Sequence, residues 1–353
     1  MEKIKVGIST GDINGVGLEV IIKSLDNPKI LELVTPIIYG SAKVISYHKN
    51  IVNPKAFNFH SITNIDQIHA DKINIINSWT EDVTISLGEP NEESGKFAYS
   101  SLDKAAQDLK YGLIDVLVTA PVDKHAMYLA GFPYTGHTEF LTALTDQSES
   151  LMLMVSDELR IGLVTNHIPV TKIADTISEE LVFSKIKTFH NSLQKDFGIE
   201  RPIIAILGLN PHAGDRGLVG DEEERMIRPA ILRAKEMGML VGGPFSADGF
   251  FGSGDYLKVD GTLAMYHDQG LIPFKALSFG QGVNFTAGLS FVRTSPDHGT
   301  ADKIAGKNQA DPSSFRKALF LAVDLFRNRR TFDQLHLDPL QKEELIEETE
   351  GDS

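Results

Sequence analysis

The chain contains no cysteine, and that absence removes disulfides, thiolate zinc sites, iron–sulfur clusters and cysteine nucleophiles together. Basic residues are also scarce: 34 Lys and Arg stand against 48 Asp and Glu in 353 residues, a formal net charge of −14. A pI near 5.2 gives the wrong surface for a phosphate backbone, so nucleic acid is not the expected partner. A local basic pocket for a small anion remains open. Long apolar runs are missing too, and none approaches the ~20 residues of a membrane helix. Met1–Thr10 enters an alternating run without the apolar core of a signal peptide. The expectation is a soluble, cytoplasmic protein that engages neither membrane nor nucleic acid.

What is present suits a globular chain. Hydrophobic residues are 42% and charged residues 23%, and the length suits two domains or one large one. Short β-branched runs at Ile4–Ile8, Thr35–Tyr39, Ile73–Ile76, Val116–Thr119, Arg160–Val164, Ile203–Gly208 and Leu263–Tyr266 read as strands. Between them, Leu18–Leu25, Lys96–Leu109, Ser178–Phe197 and Glu222–Met237 carry apolar residues at helical spacing. Strands alternating with helices predict an α/β fold with a largely parallel sheet. Gly282–Val292, interrupted at Ala287-Gly288, reads as a β-hairpin, and Ser313–Arg327 as the last helix. The expected division is 1–131 plus 300–345 as a discontinuous first α/β domain and 132–299 as a second, dimer-forming one. An acidic tail, 346–353, completes the chain.

Gly11-Asp12-Ile13-Asn14-Gly15-Val16-Gly17 follows the first strand and opens a helix, which invites a phosphate-binding reading. Its spacing fits neither G-x-G-x-x-G nor a Walker sequence, and a tight strand-to-helix turn explains the glycines equally. Three histidines are more informative. His167, His212 and His267 each follow an apolar strand, at the carboxyl ends where open α/β sheets bind ligands. Any one of them merely closes a strand, whereas three at equivalent places suit a divalent metal with an open coordination position. The remaining histidines, including His48, His60, His69, His125, His190 and His336, read as surface residues.

Polar groups gather near the same strand ends. Gly136-His137-Thr138-Glu139 resembles a turn entering a helix, with Thr138 as a cap. Lys275, Asn284 and Arg293 follow His267, and the two cations, among apolar neighbours, need either acidic partners or a bound anion. Asp248 and Asp268 supply carboxylates able to orient an alcohol or take its proton, although Asp248 before Gly249 also suits a plain turn.

Together, Gly136–Glu139, Leu209-Asn210-Pro211-His212-Ala213-Gly214, Ala264–Gly270 and Arg293–Ala301 resemble the 4-hydroxythreonine-4-phosphate dehydrogenases of pyridoxal-phosphate biosynthesis, from Val6 to about Arg327. The resemblance implies NAD- or NADP-dependent oxidation of 4-phosphooxy-L-threonine to 2-amino-3-oxo-4-(phosphooxy)butanoate, which decarboxylates to 3-amino-2-oxopropyl phosphate. It implies a two-domain fold of the isocitrate and isopropylmalate dehydrogenase type rather than a Rossmann fold. His167, His212 and His267 become ligands of one divalent metal, zinc first, with cobalt, manganese or magnesium as alternatives. His137, Thr138, Lys275, Asn284 and Arg293 become substrate-binding residues. His298, Gly299, Thr300, Ala301 and Lys303 fall on the cofactor loop, where Lys303 points to NADP and Ile304 to NAD. Asp248 or Asp268 is the expected base. The resemblance also implies a homodimer whose active sites draw metal ligands from both subunits. Competing readings are a dehydrogenase of 4-phosphothreonate or 4-phosphoerythronate, a phosphate acyltransferase, and a binding module without catalysis.

Overall fold

The computed structural model describes residues 3–145 and 150–337. The expected acidic tail, 346–353, lies outside the described residues. Among those residues, twelve apolar segments join into one mixed sheet: β1 (Ile4–Ser9), β2 (Val34–Gly40), β3 (Phe59–Ile62), β4 (Ile73–Asn77), β5 (Val116–Thr119), β6 (Leu151–Val155), β7 (Arg160–Leu163), β8 (Ile203–Leu207), β9 (Leu240–Phe245), β10 (Gly261–Ala264), β11 (Val283–Ala287) and β12 (Val292–Pro296). Their order is β3-β4-β2-β1-β5-β12-β11-β6-β7-β10-β8-β9. The strands from β3 to β12 run parallel, as do β7, β10, β8 and β9. Antiparallel pairing through β11 and β6 joins these two blocks, so they run in opposite directions. The order is not the 3-2-1-4-5-6 of a Rossmann sheet.

The strands are hydrophobic on both faces, as a sheet covered by helices requires. Val6, Ile8, Val116, Val118, Ile204, Ile206 and Leu263 are fully buried beneath helices such as Gly17–Leu25, Glu179–Lys195 and Ser313–Leu335. Helix Glu92–Lys110 begins at Asn91, whose Oδ1 accepts from Ser94 N at 2.9 Å while Asn91 N donates to Ser94 Oγ at 3.1 Å. No helix among the described residues is long and apolar enough to cross a membrane.

The sequence-predicted elements form with adjusted bounds: the last helix continues past Arg327 to Leu335, the helix expected from Lys96 starts at Glu92, and three further changes have a local cause. The run at Leu263–Tyr266 enters the sheet two residues earlier, as β10, because Gly261–Leu263 find parallel partners on β8. The expected helix Glu222–Met237 is a π-helical turn, Glu223–Ile227, followed by an α-helix, Arg228–Glu236. Pro229 has no N–H to continue the upstream ladder, and the change of helix type falls at that point. The Gly282–Val292 hairpin forms, but its second strand lies further on, at β12.

Candidate active site

Backbone anchoring positions the histidines. β7, β10 and β8 are neighbours in the sheet, so the segments carrying His167, His267 and His212 leave adjacent parallel strands. Thr165 donates to Met265 O through both N (3.1 Å) and Oγ1 (2.8 Å), tying the end of β7 to that of β10. Gln269 accepts from Met265 N at 2.7 Å and donates from Nε2 to Gly208 O at 2.6 Å, tying β10 to β8.

His167 and His267 lie side by side, with ring centroids 5.7 Å apart and planes inclined by 43°. Asp268 Oδ1 lies 2.7 Å from His267 Nδ1 and accepts its hydrogen, which leaves Nε2 free. Burial holds the His167 ring below its ordinary pKa, and the positive field of Lys124 adds to this, so the ring is neutral as a metal ligand must be. His212 is exposed and sits in a left-handed turn after β8. Within one chain no three potential ligands come close enough to hold a cation among the described residues. Two of the three predicted ligands are therefore brought together. The donor set fits a metal site that needs a further ligand from outside this pair. Asp248 is exposed, in helix Ala247–Gly252, and stays ionised because Ser246 Oγ and Gly249 N donate to it, with His212 in electrostatic reach.

A buried cation, Arg293, is linked to His167 through the field of Glu139, which acts on both. Arg293 of β12 is only 3% exposed. Its Nε and Nη2 donate to Thr119 Oγ1 at 3.1 and 2.6 Å, and Nη2 donates to His137 Nδ1 at 3.0 Å. Burial lowers the guanidinium to about 10, opposed by the field of Glu139, so the group remains charged. It has no carboxylate within ion-pair distance among the described residues. Burial, Arg293 and Lys124 together hold His137 well below its ordinary pKa. A neutral ring that accepts at Nδ1 carries its hydrogen on Nε2, and that buried atom has no partner. Thr138 lies in the first turn of helix His137–Ala143 rather than capping it, because Gly136 occupies the N-cap.

Lys275 Nζ approaches Asp297 Oδ1 at 3.5 Å and keeps more than half its side chain exposed. Asn284, on β11, buries an Oδ1 without a partner. On the cofactor-type loop, Thr300 O accepts from Val16 N at 3.0 Å and Ala301 takes a left-handed φ of 48°. His298 Nδ1 contacts Gly299 O at 3.0 Å, and its buried Nε2 has no partner. Lys303 is exposed. That unsatisfied imidazole, on a loop whose Gly299, Ala301 and Lys303 are exposed, fits a ligand with hydrogen-bonding groups. The Gly11–Gly17 turn beneath the loop is entirely buried. A Cβ on Gly11 would lie 2.2 Å from Pro121 O, and Asn14 bonds to Ser86 N and Glu89 O, so close packing explains the glycines. His48, read as a surface residue, is instead buried, donating from Nε2 to Ile13 O of this turn at 2.9 Å. That bond makes burial of the imidazole tolerable.

Sequence reasoning passed over Lys124, Glu139 and Asp297 as site residues. Lys124 follows β5 just as the histidines follow their strands, which is the signal that marks it. Its charge reaches both His137 and His167. Asp297 lies within the motif Arg293–Ala301, and its neighbours Lys275 and His267 are distant in the sequence.

The family model for "Pyridoxal phosphate biosynthetic protein PdxA" matches residues 32–322. A 4-hydroxythreonine-4-phosphate dehydrogenase of Bacteroides thetaiotaomicron is 48% identical over 342 residues, 97% of this chain and 94% of its own. A protein of Oceanobacillus iheyensis provisionally named D-threonate 4-phosphate dehydrogenase is 38% identical over 91% of this chain and 97% of its own. The crystal structure of a 4-hydroxythreonine-4-phosphate dehydrogenase from Klebsiella pneumoniae superposes with a TM-score of 0.80 at 34% identity, covering 92% of this chain and 98% of that one.

Proposed function

This chain belongs to the PdxA family of pyridoxal phosphate biosynthetic proteins, and from that premise we propose that it oxidises the secondary alcohol of 4-phosphooxy-L-threonine with NAD or NADP. The product is 2-amino-3-oxo-4-(phosphooxy)butanoate, which loses carbon dioxide to give 3-amino-2-oxopropyl phosphate. The observation that carries the reading is Arg293, a buried cation without a carboxylate beside a neutral His137 whose Nε2–H has no acceptor. A phosphorylated substrate supplies both missing partners. Arg293 and His137 hold one anionic end, assisted by Thr138, while Lys275 holds the other. Asn284 offers an unused acceptor to a substrate donor.

His167, His267 and His212 would hold the divalent cation, which when bound would supply a Lewis acid to the substrate's oxygen. Asp268 orients the ring of His267 through Nδ1. Asp248, exposed and in electrostatic reach of His212, is assigned as acceptor of the alcohol proton, although its hydrogen bonds from Ser246 and Gly249 make it a weak base. His298, Gly299, Thr300, Ala301 and Lys303 would face the nicotinamide cofactor, whose role is to accept the hydride.

His212 lies apart from the His167–His267 pair, which supports a homodimer with shared active sites. Exposed Leu218, Ile272 and Phe279, all in the second half of the chain, suit its interface. We retain 1–131 with 300–345 and 132–299 as the two lobes of the cleft, and assign the enzyme to the cytoplasm.

The likeness to the Oceanobacillus protein favours a second reading, oxidation of 4-phosphothreonate. Absorbance of reduced nicotinamide with each substrate, with and without chelator, tests both. The first reading predicts reduction with the amino acid substrate, lost on chelation and restored by zinc or cobalt. Faster turnover of phosphothreonate supports the second, and no reduction with either rejects both.

A further inference from the structure

Six consecutive residues, His212 to Gly217, have positive φ: 54°, 50°, 78°, 41°, 57° and 92°. Four of them are not glycine, and L-residues avoid this region because Cβ crowds the carbonyl oxygen. Such a run persists only where its surroundings over-determine it, and it marks a place where geometry is being held.

The holding groups are Asn210 and Glu223. Asn210 N donates to Glu223 Oε1 at 2.7 Å, and Asn210 Nδ2 donates to Glu223 Oε2 at 2.9 Å and to Glu222 Oε2 at 2.8 Å. Glu223 is 1% exposed and makes no ion pair among the described residues. A Cβ on Gly214 would fall 2.6 Å from Glu223 Oε2, so the carboxylate lies directly against the turn. Burying a carboxylate against an amide alone is a costly way to fold a loop. It is well suited to fixing one. Glu223 opens the π-helical turn Glu223–Ile227, a distortion found often at functional sites.

We propose that Asn210 and Glu223 are positioning residues for a metal ligand: they bracket the left-handed turn so that the exposed His212 is presented to a divalent cation. This rests on the reading of His212 as a ligand.

The test uses the full chain, stripped of metal and titrated with Co2+ alone, followed by visible absorption and calorimetry. His212→Ala establishes the ligand. Asn210→Ala removes the side-chain arm and keeps the backbone bond, so it folds even if Glu223→Gln does not. Ile75→Val, a core variant in β4 at the opposite end of the sheet from β8, controls for lost stability alone. Asn210→Ala and Glu223→Gln are expected to weaken Co2+ binding roughly 10–100-fold and shift its absorption bands, with Ile75→Val unchanged. Wild-type affinity and spectrum in folded Asn210→Ala, with binding lost in His212→Ala, overturns the bracket alone. Equal weakening in Ile75→Val also overturns it. Wild-type binding by His212→Ala overturns the ligand reading and the bracket with it.

Discussion

On the proposed reading, Arg293 is a side chain that serves binding at the expense of stability. Its guanidinium is buried against a hydroxyl and a neutral imidazole, with no carboxylate in contact, so only the more distant Glu139 offsets its charge. Replacing it with Met should leave the thermal midpoint unchanged or raise it. Charged hydrogen bonds contribute about 1.5–3 kcal/mol, so kcat/KM should fall at least 10–100-fold, mostly through KM. Steady-state kinetics and a melting curve check the two halves together. Arg293→Lys should not restore activity, because an ammonium cannot reach both Thr119 and His137 in the guanidinium's planar arrangement. His48 behaves differently. Burial lowers its pKa to about 4, against an ordinary 6.5 in the unfolded chain. Between those values only the unfolded chain takes up the proton, so the contribution is complete above pH 6.5 and is lost as pH falls toward 4. The loss reaches about 3 kcal/mol. His48→Gln, which can still donate to Ile13 O, should lose less stability than the wild type between pH 7 and 4.5 in urea titrations.

Among the elements, those with strong periodicity were legible in the sequence. β5 falls at Val116–Thr119 as read, and helix Gly17–Leu25 starts one residue early. β9 was not legible, because Gly242, Gly243 and Pro244 argue against a strand. It forms at the sheet edge, with a register shift against β8 where the irregular backbone does least harm. The change at Pro229 was visible as a residue but not as a π turn, since nothing in the spacing announces that Glu223 will be buried. The candidate site followed the same division. Histidines at strand ends could be picked out, and Lys124 after β5 carries the same signal, whereas Asp297 matters through neighbours remote in the sequence. Gly95 shows how closely two helices meet: a Cβ there would fall 2.1 Å from Ala126 O in helix Lys124–Leu129. Gly95→Ala must push apart the helix that opens with Lys124, and should cost about 1–3 kcal/mol by the urea midpoint.

The whole molecule sets two oppositely directed parallel blocks on one sheet, with Arg293 in the first and the histidine-bearing strands in the second. Lys124 acts electrostatically on both His137 and His167, and Glu139 on both Arg293 and His167, which supports the proposal that the two groups serve one substrate. On the proposed reading, His212 is the member of the trio that a second copy would supply to the His167–His267 pair. The decisive measurement is therefore complementation. His167→Ala and His212→Ala proteins are each inactive on this account, and a dimer of one with the other contains one intact site. Unfolding the two together and refolding them as a mixture should restore about a quarter of wild-type activity, as random pairing in a two-fold dimer requires. A mixture no more active than its parents would contradict the shared site.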